Sequence, residues 1–324
     1  IYEILKQSSH STHLIGNIGT PALDFLDKAK PGVTFVMEMS SYQLADLTVS
    51  PPIAVITSFF PEHLDYHGSL EAYQEAKRNI CRFQKECDVV FYTSQALSPH
   101  PAIPPTFAEA PAGRRGERVK QAHTREDEGT YAIAMLSPGK KIPFSEEDAP
   151  VTLGETKLIG QHNLRNIAGA WKVAEYLGIP RDTATKTIKE FTPLPHRLQS
   201  LGIRHGIEWV DDAISTTPES TIAALDALGD RVATVILGGQ DRGNDFAELA
   251  RRLKNSSVKT IILFPGSGPR IRTAIEATKA NTHCFEAKNM EEAVQIAKEN
   301  TKNIAGAIHI PLTLLSTASP SYNM

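Results

Sequence analysis

Cysteine is scarce in this chain, and the three that occur, Cys81, Cys87 and Cys284, have no metal-ligand spacing and form no even disulfide set. That excludes a disulfide-stapled scaffold and a thiolate zinc site; buried thiols in a reducing cytoplasm are expected instead. Long apolar runs are missing too: none reaches the length of a membrane span, and no signal peptide opens the chain. No membrane insertion and a cytoplasmic location are therefore expected. Charge of one sign is also lacking. A formal net charge of −3 argues against a nucleic-acid binder, which carries a basic patch or a high isoelectric point.

What is present is an ordinary globular composition, 41% hydrophobic and 22% charged, over 324 residues, long enough for two domains with a core each. The strand-like runs 33–39, 53–58 and 88–94 alternate with helical or loop segments, which predicts βαβ units and a mostly parallel sheet. Residues 95–150, rich in Pro, Gly and charge, read as a peripheral loop-rich insertion with a hairpin near 130–135. Its Arg114, Arg115 and Arg118 cluster reads as solvated surface. From "GQHNLRNIAGAWKVAEYLGIP" a helix is expected, ended by Gly178 and Pro180. "FTPLPHR", with prolines at 193 and 195, reads as a stiff link, after which strands and helices alternate again in a doubly wound pattern. The domains expected are 1–193 and 194–324, with a ligand cleft between them. An apolar-periodic start and a strand-like finish make both ends look cut, so a fragment is expected.

Residues able to carry chemistry sit at predicted strand ends. Glu38 closes one strand, where parallel sheets bind ligands; a carboxylate there suits Mg²⁺, or simply faces solvent. "PEHLDYH" follows the next strand, so His63 can converge on Glu38, while Asp65 and His67 shape the turn. Ser69 starts a helix whose apolar face is Tyr73, Ala76, Ile80 and Phe83. Lys77, one turn after Tyr73, points inward beside it or into solvent. Asn163 and Asn166 share a helix face and can read a purine edge or hold phosphate, or Asn163 caps the helix. His196 and Arg197 stand at the link, where a guanidinium can neutralise phosphate. Asp211 and Asp212 end a strand before a Thr217–Pro218 helix start, and "LGGQDRGNDF" is a glycine turn carrying Arg242. That turn is not a G-x-G-x-x-G fingerprint.

In order along the chain, "EMSSYQL", "PEHLDYHGSLEAYQEAKRNI", "GQHNLRNIAGA", "PLPHRLQ", "VDDAISTTPES" and "GGQDRGNDF" resemble the Mur ligase family. "GNIGTPAL" and "LLSTASPSYNM" look most like its glutamate-adding branch. The resemblance implies a central ATPase-type α/β domain and a Rossmann-like α/β C-terminal domain. It implies an ATP-dependent amide ligase with Mg²⁺, acting on UDP-N-acetylmuramoyl-L-alanine and glutamate through an acyl phosphate; a monomer is expected. It places Glu38, His63 and a carbamylated Lys77 at the metal, and Asn163, Asn166, His196, Arg197 and Asp212 around ATP. It places Asn17 on the muramoyl substrate, and Thr216, Arg242 and Ser316 on the incoming glutamate.

This sequence departs from the family pattern in three places. The phosphate-binding loop G-x-x-G-K-[ST] does not occur, since "SPGKK" lacks the pattern, so the chain by itself is expected to be inactive. Ile214 stands in "AISTT" where many glutamate-adding ligases carry lysine, a feature of a branch that adds L-glutamate; D-glutamate is nonetheless the expectation. The C-terminal segment stops short of the family's last helix. The alternatives are another ligase of this family, such as a folate polyglutamating enzyme, or a non-catalytic nucleotide-binding scaffold.

Overall fold

The computed structural model describes residues 1–17, 20–59, 64–94, 126–301 and 310–321. His63, the Arg114, Arg115 and Arg118 cluster and the first part of the expected insertion lie outside them. The first half runs α1 (Tyr2–Gln7), β1 (Thr12–Gly16), β2 (Thr34–Glu38), α2 (Ser41–Ala45), β3 (Ile53–Ile56), α3 (Leu64–His67), α4 (Leu70–Arg78) and β4 (Val89–Thr93). It continues with α5 (Glu126–Ala134), β5 (Lys140–Phe144), α6 (His162–Tyr176) and α7 (Arg181–Glu190). β1 pairs with β2, and β3, β4 and β5 form a separate sheet, all in parallel.

Strand β4 is buried along its whole length, as a central parallel strand must be when both faces are covered. Its alternating residues serve two cores. Val90 and Tyr92 pack with Tyr73 of α4 and Ile133 of α5, while Val89 and Phe91 pack with Ala168 and Val173 of α6. Helix α6 ends as its sequence predicts. Gly178 takes φ +75°, and the Ile179 and Gly178 amides donate to Ala174 and Glu175 carbonyls, a Schellman closure whose apolar Ile179 joins the core below.

The expected hairpin near 130–135 is instead helix α5. Thr130, Ile133 and Ala134 recur at helical spacing and are buried. The Thr130 hydroxyl donates to the Thr93 carbonyl at the end of β4. Nor is 140–150 peripheral: β5 is the third strand of the sheet, and Asp148 pairs with Lys172 of α6 at 3.0 Å. Local Pro, Gly and charge concealed this, because the strand "KKIPF" has one buried side, carried by Phe144. Two smaller expectations also fail. Cys87 is exposed, and Phe83 lies past the end of α4 with 41% of its surface free.

The second half comprises β6 (Gln199–Arg204), β7 (Ile207–Asp211), α8 (Pro218–Leu228), β8 (Val232–Leu237), α9 (Ala247–Lys254) and β9 (Thr260–Leu263). α10 (Gly268–Ala277), β10 (His283–Glu286), α11 (Met290–Thr301) and β11 (Leu312–Leu315) complete it. The six strands lie in the order β10-β9-β8-β11-β7-β6, parallel except for β6. β7 to β10 advance in one direction and β11 returns between β7 and β8. Right-handed crossovers then put α8–α10 on one face and α11 on the other. The cores agree: Val235, Leu237 and Ile261 pack with Leu225, Leu249 and Ile271, whereas Ile236, Ile262 and Phe264 pack with Ala293 and Ala297. This is the doubly wound arrangement expected from the alternation. Ile159 packs against the first of these cores, so the halves touch there.

Candidate active site

The first candidate region is the carboxyl edge of β1 and β2. Gly16 sits opposite Glu38 in register, with φ +101°, and a Cβ on it would lie 2.3 Å from the Glu38 carbonyl oxygen. Only glycine allows that approach. The Asn17 amide then donates to the same carbonyl at 3.0 Å. Asn17 and Glu38 are thus neighbours at one edge, although distant in sequence. Glu38 Oε2 is sealed from solvent and has no hydrogen-bond partner among the described residues. A buried carboxylate oxygen without a donor is costly unless something cationic meets it. It therefore fits a hard divalent cation. No group of three or more His, Cys, Asp or Glu side chains forms a metal cluster among the described residues.

The helix carrying Lys77, α4, packs on α2, which follows Glu38. Ser69 caps α4 by accepting from the Ala72 amide, and Tyr73 and Ala76 form its buried face. The Lys77 ammonium lies 5.6 Å from the Tyr73 ring centroid, so it does turn toward that ring. His67 is more than a turn residue. Its Nε2 is 3.0 Å from the Ser41 hydroxyl at the start of α2, and its ring meets Tyr73 edge-on at 5.5 Å. Sequence reading missed it because the contact spans 26 positions.

The second region is the start of α6 and the link. Asn163 does not cap the helix; Gln161 precedes it, and the Asn163 Nδ2 donates back to the Ile159 carbonyl at 2.8 Å. Asn166 donates to Asn163 Oδ1 at 3.1 Å, so the two amides form one bonded pair. His162, which sequence reading did not single out, has its pKa lowered by burial and then by Arg165 and Arg197. Arg197 of the link is therefore close enough to be felt at the start of α6. Together with the helix N-terminus, these cations make an electropositive rim suited to phosphate.

The link itself is strained. His196 and Leu198, on either side of exposed Arg197, take φ +62° and +44°, which non-glycine residues seldom adopt. They are held there. The Leu198 amide donates to Asp212 Oδ1, the His196 amide to Gln199 Oε1, and His196 Nδ1 lies 2.7 Å from Asp211 Oδ2.

Asp212 is buried, and both its oxygens are engaged: Oδ1 by Leu198, Oδ2 by the hydroxyls of Ser215 and Ser316. Burial raises its pKa above the usual carboxylate value despite these donors and Arg197. Ser316 is fully buried, its hydroxyl shared between Asp212 and Thr221. Thr216 and Arg242 are half-buried on neighbouring loops. The loops after β8, β9 and β11 interlock closely. The Gln240 amide donates to Pro320, the Ser267 amide to Gly239, and Ser319 to the Ser267 hydroxyl. A Cβ on Gly239 would lie 2.2 Å from the Pro320 carbonyl oxygen. Gly239→Ala should therefore lower the unfolding free energy by about 2 kcal/mol, as overpacking against fixed backbone does, read by urea denaturation.

The structure thus gathers the expected residues into three neighbourhoods: Asn17 with Glu38, Asn163 and Asn166 near Arg197, and Asp212 with Ser316. The fold is shared with Mycobacterium tuberculosis folylpolyglutamate synthase complexed with ADP, at a TM-score of 0.64 over 92% of this chain and 67% of that one, with 16% identity. At that identity the likeness speaks for the fold. The chain belongs to the Mur ligase family: the Mur ligase middle domain matches residues 1–174, and the Mur ligase, glutamate ligase domain matches 196–306. Among relatives, UDP-N-acetylmuramoyl-L-alanine–L-glutamate ligase of Xanthomonas oryzae pv. oryzae is 31% identical over 329 residues, covering 98% of this chain and 64% of that protein. UDP-N-acetylmuramoylalanine–D-glutamate ligase of Streptococcus mutans is 32% identical over 327 residues, 100% and 67% of the two chains. This chain thus spans 64% of the length of the Xanthomonas relative. Among the described residues no helix is long and apolar enough to cross a membrane.

Proposed function

We propose that this chain is the catalytic body of an ATP-dependent ligase that joins glutamate to UDP-N-acetylmuramoyl-L-alanine. The observation that carries the reading is the similarity to ligases of that name across 98% of the chain. The proposed domains are 1–193 for ATP and 194–324 for glutamate; the two family matches, 1–174 and 196–306, are consistent with that division. For the enantiomer we propose L-glutamate. Ile214 is exposed on the loop after β7, where a lysine stands in many glutamate-adding ligases, and the Xanthomonas relative is an L-glutamate ligase.

In the proposed reaction the substrate carboxylate attacks the γ-phosphorus of ATP and releases ADP. The glutamate amine then displaces phosphate from the acyl carbon and loses a proton. Positioning and charge neutralisation supply most of the rate in such transfers. Glu38, with His63 and Lys77, would hold Mg²⁺, which when bound neutralises phosphate charge. Lys77 would contribute oxygen after its neutral amine adds to CO₂ and releases a proton. Arg197, raised on its strained link, faces phosphate with the electropositive start of α6, where Asn163 and Asn166 meet the base. His196 holds the link through Asp211.

Two residues take different parts from direct contact. Asp212 and Ser316 have no free polar atoms to offer a ligand, so we assign them to holding the Leu198 amide and the loops that carry Thr216 and Arg242. Asn17 remains at the rim for the muramoyl substrate. The test joins the chain to the parts of the Xanthomonas ligase outside the aligned region. With ¹⁸O in the substrate's terminal carboxylate, one ¹⁸O should appear in the released phosphate. Turnover with unlabelled phosphate would refute the acyl-phosphate route.

A further inference from the structure

Helix α2 has five residues, too few to hold itself in water. It begins three residues after Glu38, so its placement sets where that strand end leads. Its own capping box, between Ser40 and Gln43, closes only the first turn. The α3–α4 unit supports it further: the Tyr42 ring packs on Tyr66 and His67, and side-chain hydrogen bonds reach both ends of the helix. At its start, buried Ser41 meets His67 Nε2 at 3.0 Å. At its end, the Asn79 amide nitrogen donates to the carbonyls of Leu44 and Ala45, at 3.0 and 3.2 Å. Those are last-turn carbonyls, and Leu44 also accepts from the Leu47 amide at 3.2 Å, so Asn79 grips the turn that closes α2. Asn79 is itself buried as the residue closing α4, and its carbonyl accepts from Ser50.

Both anchoring residues flank Lys77 on the same unit. Asn79 follows it by two positions, and His67 packs on Tyr73, whose ring lies beside the Lys77 ammonium. We propose that His67 and Asn79 are positioning residues, fastening the Glu38 strand end to the Lys77 helix so that both side chains address one divalent cation. This rests on the metal-site reading of Glu38, whose buried Oε2 has no donor among the described residues. Groups that orient metal ligands without touching the ion typically matter about tenfold or more in affinity.

The test measures Mn²⁺ binding to the 324-residue chain by loss of the free-ion electron paramagnetic resonance signal, with no nucleotide present. Mn²⁺ shares the oxygen preference of Mg²⁺. Wild type should bind, and Glu38→Gln should bind far more weakly. His67→Ala and Asn79→Ala should each weaken binding about tenfold. His67→Gln, which restores a polar reach to Ser41, should recover to within about threefold of wild type. A residue that merely stabilises the fold would lower the thermal midpoint and leave the Mn²⁺ affinity unchanged. Should Asn79→Ala fail to fold, the two His67 variants decide. Weak binding by Glu38→Gln together with wild-type affinity in folded His67→Ala overturns the inference and spares the site reading. No binding by wild type, or equal binding by Glu38→Gln, overturns the site reading and the inference with it.

Discussion

Asp212→Ala should lower the unfolding free energy by about 3 kcal/mol, a large effect for one substitution. The carboxylate is buried and accepts from three donors: Ser215 three residues on, and the Leu198 amide and Ser316 from more distant segments. Each bond to a charged acceptor is worth roughly 1.5–3 kcal/mol, and each donor left buried costs more. Against that stands the desolvation that raises this group's pKa, which removal would relieve, so the net falls well below the sum. Asp212→Asn should cost only about 1 kcal/mol, because one amide oxygen still serves Leu198 and hydroxyls can turn to accept. The sign with pH follows from the raised pKa. Its stability contribution is fully present below the unfolded value of 3.8 and is lost as pH rises through the folded value. Wild type should therefore exceed Asp212→Asn most near pH 4 and least near neutrality, compared by urea denaturation at both. A difference that grew toward neutral pH would contradict the assigned environment.

The second large effect concerns Lys77. In the enzyme completed from the Xanthomonas relative, Lys77→Ala should reduce kcat about a thousandfold, the scale of losing a preorganised charge-stabilising group. Stability should change by much less. The side chain is half-buried and its ammonium lies over the Tyr73 ring, 5.6 Å from the centroid, a contact worth about 1 kcal/mol. A short carboxylic acid should restore part of the rate, since it supplies the oxygens assigned to the carbamate. If Lys77→Ala is instead slowed only a fewfold, or if its rate is indifferent to added carboxylate, the lysine has no such part.

Local pattern and capping made much of the fold legible. Thr217–Pro218 and Ser69 start their helices where the sequence says. Gly178 closes α6, and the strand–helix alternation yields the doubly wound six-stranded sheet. Helix α5 was not legible, because Tyr131 and Ile133 suit strands, and the helix is decided by burial of Thr130 and Ile133 under β4. Strand β5 was hidden by its lysines and proline. At the site, Glu38, Arg197 and Asp212 were visible as strand-end or link residues. What sequence could not show is which of them are satisfied by protein. Asp212 is held by residues 14 positions before it and 104 after it, whereas Glu38 Oε2 meets no donor among the described residues. His67 and His162 escaped for the same reason: their significance lies in Ser41 and Arg197, which are far away in the chain.

The proposed activity is glutamate addition to a muramoyl nucleotide. The most direct test is mass spectrometry of UDP-N-acetylmuramoyl-L-alanine after incubation with ATP, Mg²⁺ and the completed enzyme, supplied separately with L-glutamate and D-glutamate. A product heavier by one glutamyl residue is expected, formed with the L enantiomer and accompanied by an equal amount of ADP. Addition of D-glutamate alone would contradict the proposed enantiomer. No glutamyl product with either, or preferential addition of a different amino acid, would contradict the proposed activity itself.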